Sequence, residues 1–371
     1  MGTTHNTYLH AFRFIEGIGN STLEKLFSHF GSSEQAWRAT EAELALVPKM
    51  SRDKITLIIA GRKNLDPEKL WESFLELGIT LHGKQDSTYP TLLREIPDAP
   101  QALYTRGSFD WNQQPPMIAI VGSRKHSAYG TQVANRLAED LARAGCVVVS
   151  GMAFGIDSVA HTGAMAAGSE TIAVLGSGID DRMISPVSHF QLAQKIMRHG
   201  ALVSEYPPGT QANQGSFPQR DRIIAGLCLG TVVIEASEKS GSLITAQCAL
   251  DYNREVFAIP GSILSPYSTG TNSLIKRGAK LVTGVSDILE ELQLDTLFPG
   301  AEKKHITIDV SGLSPEEQKI LTVLTHEPLH VDKIIKQTIL GTAQVSSILS
   351  LLEIKGLAKN VGGMHYIRVA S

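Results

Sequence analysis

Six short runs along the chain carry almost no polar residue: MIAIV (117–121), CVVV (146–149), TIAVL (171–175), ALVS (201–204), TVVIEA (231–236) and EVFAI (255–259). Amphipathic stretches separate them. A strand that is apolar throughout must be covered on both faces, so the alternation predicts a parallel sheet between two layers of helices. The expected fold is α/β, a Rossmann-like doubly wound sheet over roughly residues 115–290. Upstream the period is helical, with Leu23, Leu26, Phe27 and Phe30, then Leu44, Leu46 and Val47, then Ile55, Ile58 and Ile59, broken at Pro48, Gly61 and Pro67. Residues 80–115, with Pro90, Pro97 and Pro100, read as a connection with two strands able to extend the sheet. Downstream, a polar stretch near 293–311 with Pro299 and Gly300 precedes a unit in which LSPEEQKILTVL, HVDKIIKQT and QVSSILSLLEIKGLAKN read as three helices. A hairpin at Gly362-Gly363 follows, so this unit has a winged-helix pattern with a two-stranded wing. The expected domains are 1–80, 81–292 and 312–371.

Composition narrows the function classes. The 371 residues are 42% hydrophobic and 19% charged, which excludes a disordered tail, a collagen-like chain and a coiled-coil rod. The net charge is -3, so affinity for a polyanion has to come from a local patch. The last unit is balanced too, with six Lys/Arg against five Asp/Glu in 312–371, and only Lys355 and Lys359 stand at the end of its third helix. Protein contact suits it at least as well as duplex binding. Cys146, Cys228 and Cys248 are an odd number, far apart and without a C-x-x-C pair. They are expected to be small buried hydrophobes in a reducing compartment. No apolar run reaches the ~18–20 residues of a membrane span, and MGTTHNTYLHAFRF lacks a signal-peptide pattern, so a cytoplasmic chain without a membrane partner is expected.

The candidate chemistry sits where apolar runs end. Gly122-Ser123-Arg124 follows the first strand, and a glycine-ended strand before a helix makes a phosphate site from backbone N–H groups and the helix dipole. The segment is not G-x-G-x-x-G, and Arg124 can instead hold a backbone phosphate or lie flat on a base. Gly151 and Gly155 bracket a second such turn, with Asp157 expected to cap or charge the first helical turn and His161 to form a structural pair with Asp157. In GSFPQRDRIIAGL, Phe217 is read as a lone loop aromatic followed by Arg220 and Arg222, the combination that stacks bases and holds phosphates of a single strand, each stacked base being worth roughly 1–3 kcal/mol. The alternative is a Phe217 tucked into the core with the arginines paired to Asp221 or Glu235. Lys239-Ser240-Gly241 opens a third phosphate-ready helix. Glu235, at a strand end beside it, is the one carboxylate placed to serve as a base, so a nucleotide hydrolase remains the enzyme alternative. No P-loop, zinc or nucleophile-elbow motif occurs, and neither a metal nor a cofactor is expected. In the first unit, IEGIGNSTLEKLFSHFG resembles a helix-hairpin-helix (or SAM-like) element, with Asn20 or Ser21 as the N-cap and a degenerate second copy at ALVPKMSRDKI. A plain helical packing unit is the equal alternative.

These residues also carry a family resemblance. IVGSR with YG, SGMAFGIDSVAH, TIAVLGSGID, SEYPPG, FPQRDRIIAGL, EASEKSGSLITA, VFAIPG and GTNSLIKRGA, in this order over most of 115–290, resemble the DprA/Smf family, the DNA-processing proteins of natural transformation. The resemblance implies a dimeric, non-catalytic protein that binds and protects single-stranded DNA and loads the RecA recombinase. It implies a pocket of Gly122, Ser123, Arg124, Gly151, Phe217, Arg220, Arg222, Lys239, Ser240 and Gly241, and the hydrolase alternative is similar to Rossmann-like nucleotide phosphoribohydrolases acting through Glu235. Three positions depart from the pattern. Asp221 replaces the asparagine of F-P-x-R-N-R, Ser169 a glycine and Ser185 a tyrosine. Asp221 is expected to orient Arg220 or Arg222 rather than to touch phosphate.

Overall fold

Side-chain alternation within each apolar run feeds two cores at once. In β3 (Met117–Val121), Met117, Ala119 and Val121 enter one core and Ile118 and Ile120 the other; in β4 (Val147–Ser150), Val147 and Val149 part from Val148 in the same way. The structure is a computed structural model that describes residues 2–294, 313–325 and 327–368. The polar stretch with Pro299 and Gly300 lies outside the described residues. The chain divides into two compact units.

The larger unit holds a nine-stranded sheet. With β1 (Thr80–Gly83), β2 (Ala102–Gly107), β5 (Thr171–Val174), β6 (Gly200–Ser204), β7 (Gly230–Val233), β8 (Glu255–Ala258) and β9 (Lys280–Leu281), the order is β1-β2-β6-β5-β4-β3-β7-β8-β9. The seven strands from β6 to β9 in that order pair in parallel, and β1 and β2 extend the sheet antiparallel beyond β6. The chain winds outward from β3 through β4 and β5 to β6, then returns to place β7 on the other side of β3. The doubly wound expectation holds, and its switch point lies between β3 and β7, where such sheets open a crevice at their carboxyl ends.

Helices cover both faces. Leu137 and Leu141 of the helix Ala128–Arg143 and Ala160 of the helix Ile156–Ala166 pack on one core, while Ile223 and Ile224 of the helix Ser216–Leu227 and Ala246 of the helix Ser242–Asp251 pack on the other. The N-terminal helices share a third core with the sheet, in which Leu9, Phe12, Leu23 and Leu26 meet Leu81, Tyr104 and Leu202. A buried polar link joins them, His10 Nδ1 lying 2.9 Å from the Tyr104 hydroxyl, and burial lowers the His10 pKa to about 4. The glycine turn at Gly17 precedes a helix, Asn20–Phe30, whose N-cap is Gly19 rather than Asn20 or Ser21. The reason is that the Asn20 side chain packs elsewhere, donating to Glu205 Oε2 at 2.9 Å and accepting from Arg13 and the Gln101 N–H. Lys54 Nζ donates to the Gly17 carbonyl at 2.7 Å. Side chains of the protein thus engage this turn, in line with the packing alternative.

The smaller unit has helices Pro315–Val323, Val331–Thr338 and Thr342–Ile354 around Ile320, Ile334, Val345 and Leu349. Ser314 and Glu317 close a capping box at its start. Its sheet has three strands rather than two: β10 (Leu329–His330) pairs with β12 (His365–Arg368), which pairs with β11 (Ala358–Asn360). Two residues before the second helix are too few for the sequence pattern to register as a strand. Cys146 and Cys228 are buried as expected, whereas Cys248 is half-buried; all three are free thiols. Among the described residues no helix is long and apolar enough to cross a membrane, and no group of three His, Cys, Asp or Glu could hold a metal ion.

Candidate nucleic-acid interface

Parallel connections place the starts of the helices Ala128–Arg143, Ile156–Ala166, Ser216–Leu227 and Ser242–Asp251 at the carboxyl edge of the sheet. There the Arg124 guanidinium carbon lies 5.4 Å from the centroid of the Phe217 ring, a cation–π distance. Arg124 is exposed and Phe217 half-buried. Phe217 is not in a loop: it lies in the first turn of its helix, together with Pro218. Proline is tolerated at this point because N–H groups of the first turn have no intrahelical partner. Asn213 fixes the helix start, its Oδ1 accepting the Ser216 N–H at 3.0 Å and its carbonyl accepting the Ser216 hydroxyl at 2.8 Å. The first loop is also held in place. Ser123 Oγ accepts the Lys125 N–H, and Ile156 N–H donates to the Ser123 carbonyl at 3.3 Å, joining the loops after β3 and β4. Gly155, at φ +87°, permits this approach, since a Cβ would fall 2.4 Å from the Ser123 oxygen.

Arg220 turns inward from the same helix and is 5% exposed. Its guanidinium lies on Gly151, where a Cβ would fall 1.2 Å from Nη1, so Gly151 makes room for the arginine. Two carboxylates flank it. Asp157 Oδ2 is 3.9 Å from Nη1 and accepts the N–H groups of Gly151 and Ala153; Asp221 Oδ1 is 3.4 Å from Nε. Burial pushes Asp221 up to about 6, against the pull of Arg220 and, more weakly, Arg124, and with a further push from Asp157. Asp157 is also raised by burial, opposed by Arg220 and by its two backbone donors. Asp157 stands in the first helical turn, where a carboxylate favours the helix dipole, but it accepts the N–H groups of Gly151 and Ala153 before the helix rather than capping the helix itself. Of the two arginines, Asp221 pairs with Arg220. His161 does not pair with Asp157. It lies 2.8 Å from Thr171 Oγ1, whose proton goes to the Val148 carbonyl, so His161 Nδ1 is the donor. Burial lowers its pKa to about 3, and it is a neutral core histidine.

Arg222 leaves this cluster. Its Nη2 meets Glu205 Oε2 at 2.6 Å and its Nη1 the Asp98 carbonyl at 2.7 Å, with the Asp98 carboxylate 3.6 Å from Nε. The two side chains of the main pair are 11% and 3% exposed, so the charge is neutralised inside the protein. Glu205 also receives Asn20, and its carbonyl receives Arg13, which makes it the rivet between the N-terminal helices and the helix of Phe217. In the sequence, the one signal for Glu205 is an acid directly after an apolar strand, within SEYPPG.

Lys239 and Gly241 are exposed on the loop after β7, and the Ser240 and Ser242 hydroxyls lie 2.8 Å apart. They share the carboxyl edge with Arg124 and Phe217. Glu235 is 2% exposed and packs on the start of the helix Ala128–Arg143, a Cβ on Gly130 falling 2.3 Å from its Oε2. A carboxylate therefore occupies the helix start that a nucleotide phosphate takes in dinucleotide-binding sheets. A further aromatic, Phe154, is 49% exposed beside Gly155, and nothing in its sequence spacing marks it.

Comparison with known proteins places this edge in context. The family model described as DNA recombination-mediator protein A matches residues 80–293, and one for the DprA winged helix domain matches 309–364. The chain is 34% identical to Protein Smf of Synechocystis sp., over 99% of this chain and all of the other. It is 42% identical to the DNA processing protein DprA of Bacillus subtilis, over 59% of this chain and 73% of the other. Among solved structures, DprA from Streptococcus pneumoniae superposes with a TM-score of 0.68 at 35% identity, covering 77% of this chain and 97% of that one. DprA from Helicobacter pylori, described as having a unique single-stranded DNA binding mode, superposes with a TM-score of 0.53 at 29% identity, covering 58% and 96%. With its sheet unit and its winged helix each matched in order, the chain belongs to the DNA recombination-mediator protein A family, the DprA/Smf proteins.

Proposed function

We propose that this protein is a non-catalytic, sequence-tolerant single-strand binder that holds DNA at the carboxyl edge of its sheet, protects it and delivers it to RecA during transformation. The observation that carries the reading is the exposed Arg124 guanidinium over the Phe217 ring at the switch point. A ring supplies stacking for a base and the guanidinium a phosphate contact, which together need no particular sequence. Lys239, exposed on the same edge and without an ion pair among the described residues, extends the phosphate track past Ser240 and Gly241. Arg220, held by Gly151, Asp157 and Asp221, anchors the helix of Phe217 to the turn after β4, and Arg222 braces the same helix against Glu205 and Asp98. Support for the DNA-processing role comes from the relatives' names and from the single-strand binding described for the Helicobacter pylori protein. The buried position of Glu235 favours a structural use over acid or base catalysis.

Two partner roles belong to the same reading. A homodimer joins at the β9 end of the sheet, where the edge strand has two residues and Leu281 is 43% exposed. The winged helix serves protein contact: Lys355 is drawn to Glu317 at 2.6 Å, while Ile354 and Leu351 are exposed on the third helix.

The test is fluorescence anisotropy of a labelled poly-dT oligonucleotide at two salt concentrations. The wild type is expected to bind in a salt-sensitive way, and Phe217→Ala to lose roughly 1–3 kcal/mol. Arg124→Ala is expected to weaken binding and to reduce the salt slope by about 0.7, the single-strand value for one phosphate contact. Unchanged affinity in both variants removes the pocket assignment.

A further inference from the structure

Phe154 lies one residue from Gly155, in the turn between β4 and the helix Ile156–Ala166, and half of its surface is open to solvent. Single exposed apolar residues are common and need no function, but this ring is held. Its centroid is 4.7 Å from that of His189 with the planes at 63°, an edge-to-face pair. His189 is in turn fixed by its Nδ1, which lies 2.9 Å from the Met152 carbonyl; a carbonyl can only accept, so Nδ1 carries the proton. The backbone beneath is constrained, with Met152 at φ 53° and Gly155 at φ +87°. In an edge-to-face pair each ring keeps at least one face free of its partner. The turn is joined to the Arg124 loop by the Ile156–Ser123 hydrogen bond, and Arg124 and Lys125 are both exposed on that loop.

We infer that Phe154, supported by His189, is a second base-stacking subsite for the same single strand, next to the Arg124–Phe217 pair. The inference rests on the single-strand reading above and deepens it. The occupant is an unpaired base of either class, because every base offers a π-face. Arg124, which lies over the Phe217 ring and whose backbone packs on Gly155 next to Phe154, is placed to hold the intervening phosphate. A duplex, whose bases are already stacked on each other, gains nothing from such a ring, so the subsite adds to discrimination in favour of single strands.

The experiment measures a labelled poly-dT oligonucleotide against wild type, Phe154→Ala, Phe154→Leu, Phe154→Trp and Arg124→Ala, each checked for an unchanged Tm. Phe154→Ala and Phe154→Leu are expected to weaken binding about five- to 150-fold with an unchanged salt slope, since stacking is lost and no phosphate contact is removed. Phe154→Trp is expected to bind at least as tightly as wild type. Wild-type affinity in Phe154→Ala, or affinity kept in Phe154→Leu, overturns the stacking role while a weakened Arg124→Ala leaves the single-strand reading in place. Absence of wild-type binding, or an unaffected Arg124→Ala, overturns the reading and the subsite with it.

Discussion

Arg124 and Arg222 begin with the same side chain and end with opposite uses. Arg124 stands on an exposed loop with a ring beneath it, whereas Arg222 reaches back into a bridge with Glu205 and Asp98 that leaves it 11% exposed. A guanidinium is available to a polyanion only where the fold has not already supplied its counter-charge. The difference explains how a chain of net charge -3 can carry a nucleic-acid site: what counts is the number of unneutralised cations on one edge, not the total. Arg220 stands between the two cases. It is buried like Arg222, but its two acids stand farther off, at 3.9 and 3.4 Å against 2.6 Å for the Arg222–Glu205 bridge, and it lies directly under the turn at Gly151.

The largest effect that separates these arginines is on stability. Arg222→Ala leaves the Glu205 carboxylate buried without its cation, and breaking such a pair is expected to cost about 3–5 kcal/mol in denaturant unfolding, with the salt slope of DNA binding unchanged. A stable variant with a reduced slope would reverse the comparison. Next comes the coupling between Arg124 and Phe217. A double-mutant cycle on poly-dT affinity is expected to return about 0.5–2 kcal/mol for the pair, the range of cation–π contacts, while an Arg222–Phe217 cycle returns nothing. The smallest effect concerns Asp221. Its folded pKa, near 6, is above its ordinary value of 3.8, so the folded state binds the extra proton and stability falls as pH rises from 3.8 through 6. In thermal unfolding, the stability of wild type relative to Asp221→Asn is expected to fall between pH 4 and 7, a difference from which the shared contributions of Asp157, His10 and His161 drop out. Poly-dT affinity at pH 7.5 is expected to stay within about twofold in that variant, because the carboxylate faces Arg220; several-fold tighter binding would make Asp221 a repelling charge instead.

Much of the architecture was written locally. Runs such as MIAIV and TIAVL can satisfy their apolar residues only between two helical layers, and the strands lie where those runs predict. The glycine turns at Gly122, Gly151 and Gly155 were legible for the same reason: a close approach of backbones needs residues without a Cβ, and Gly151 and Gly155 each sit against a neighbour that leaves no space for one. Phe217 was legible as a residue of this edge but misplaced in a loop, since Pro218 signals a break in sequence and yet fits the first turn of a helix.

What remained for the tertiary structure was the pairing of charges. Nothing near Arg222 announces that its partners are Glu205, 17 residues away, and Asp98, 124 residues away, or that Phe154 will stand beside His189. His161 likewise sits one helical turn from Asp157 and still pairs with Thr171, across to the next strand. The physical reason is range. Hydrophobic period and backbone sterics act over a few neighbouring residues and so are spelled in order along the chain, whereas a charge or a ring takes its role from whatever the folded sheet brings within a few ångströms of it.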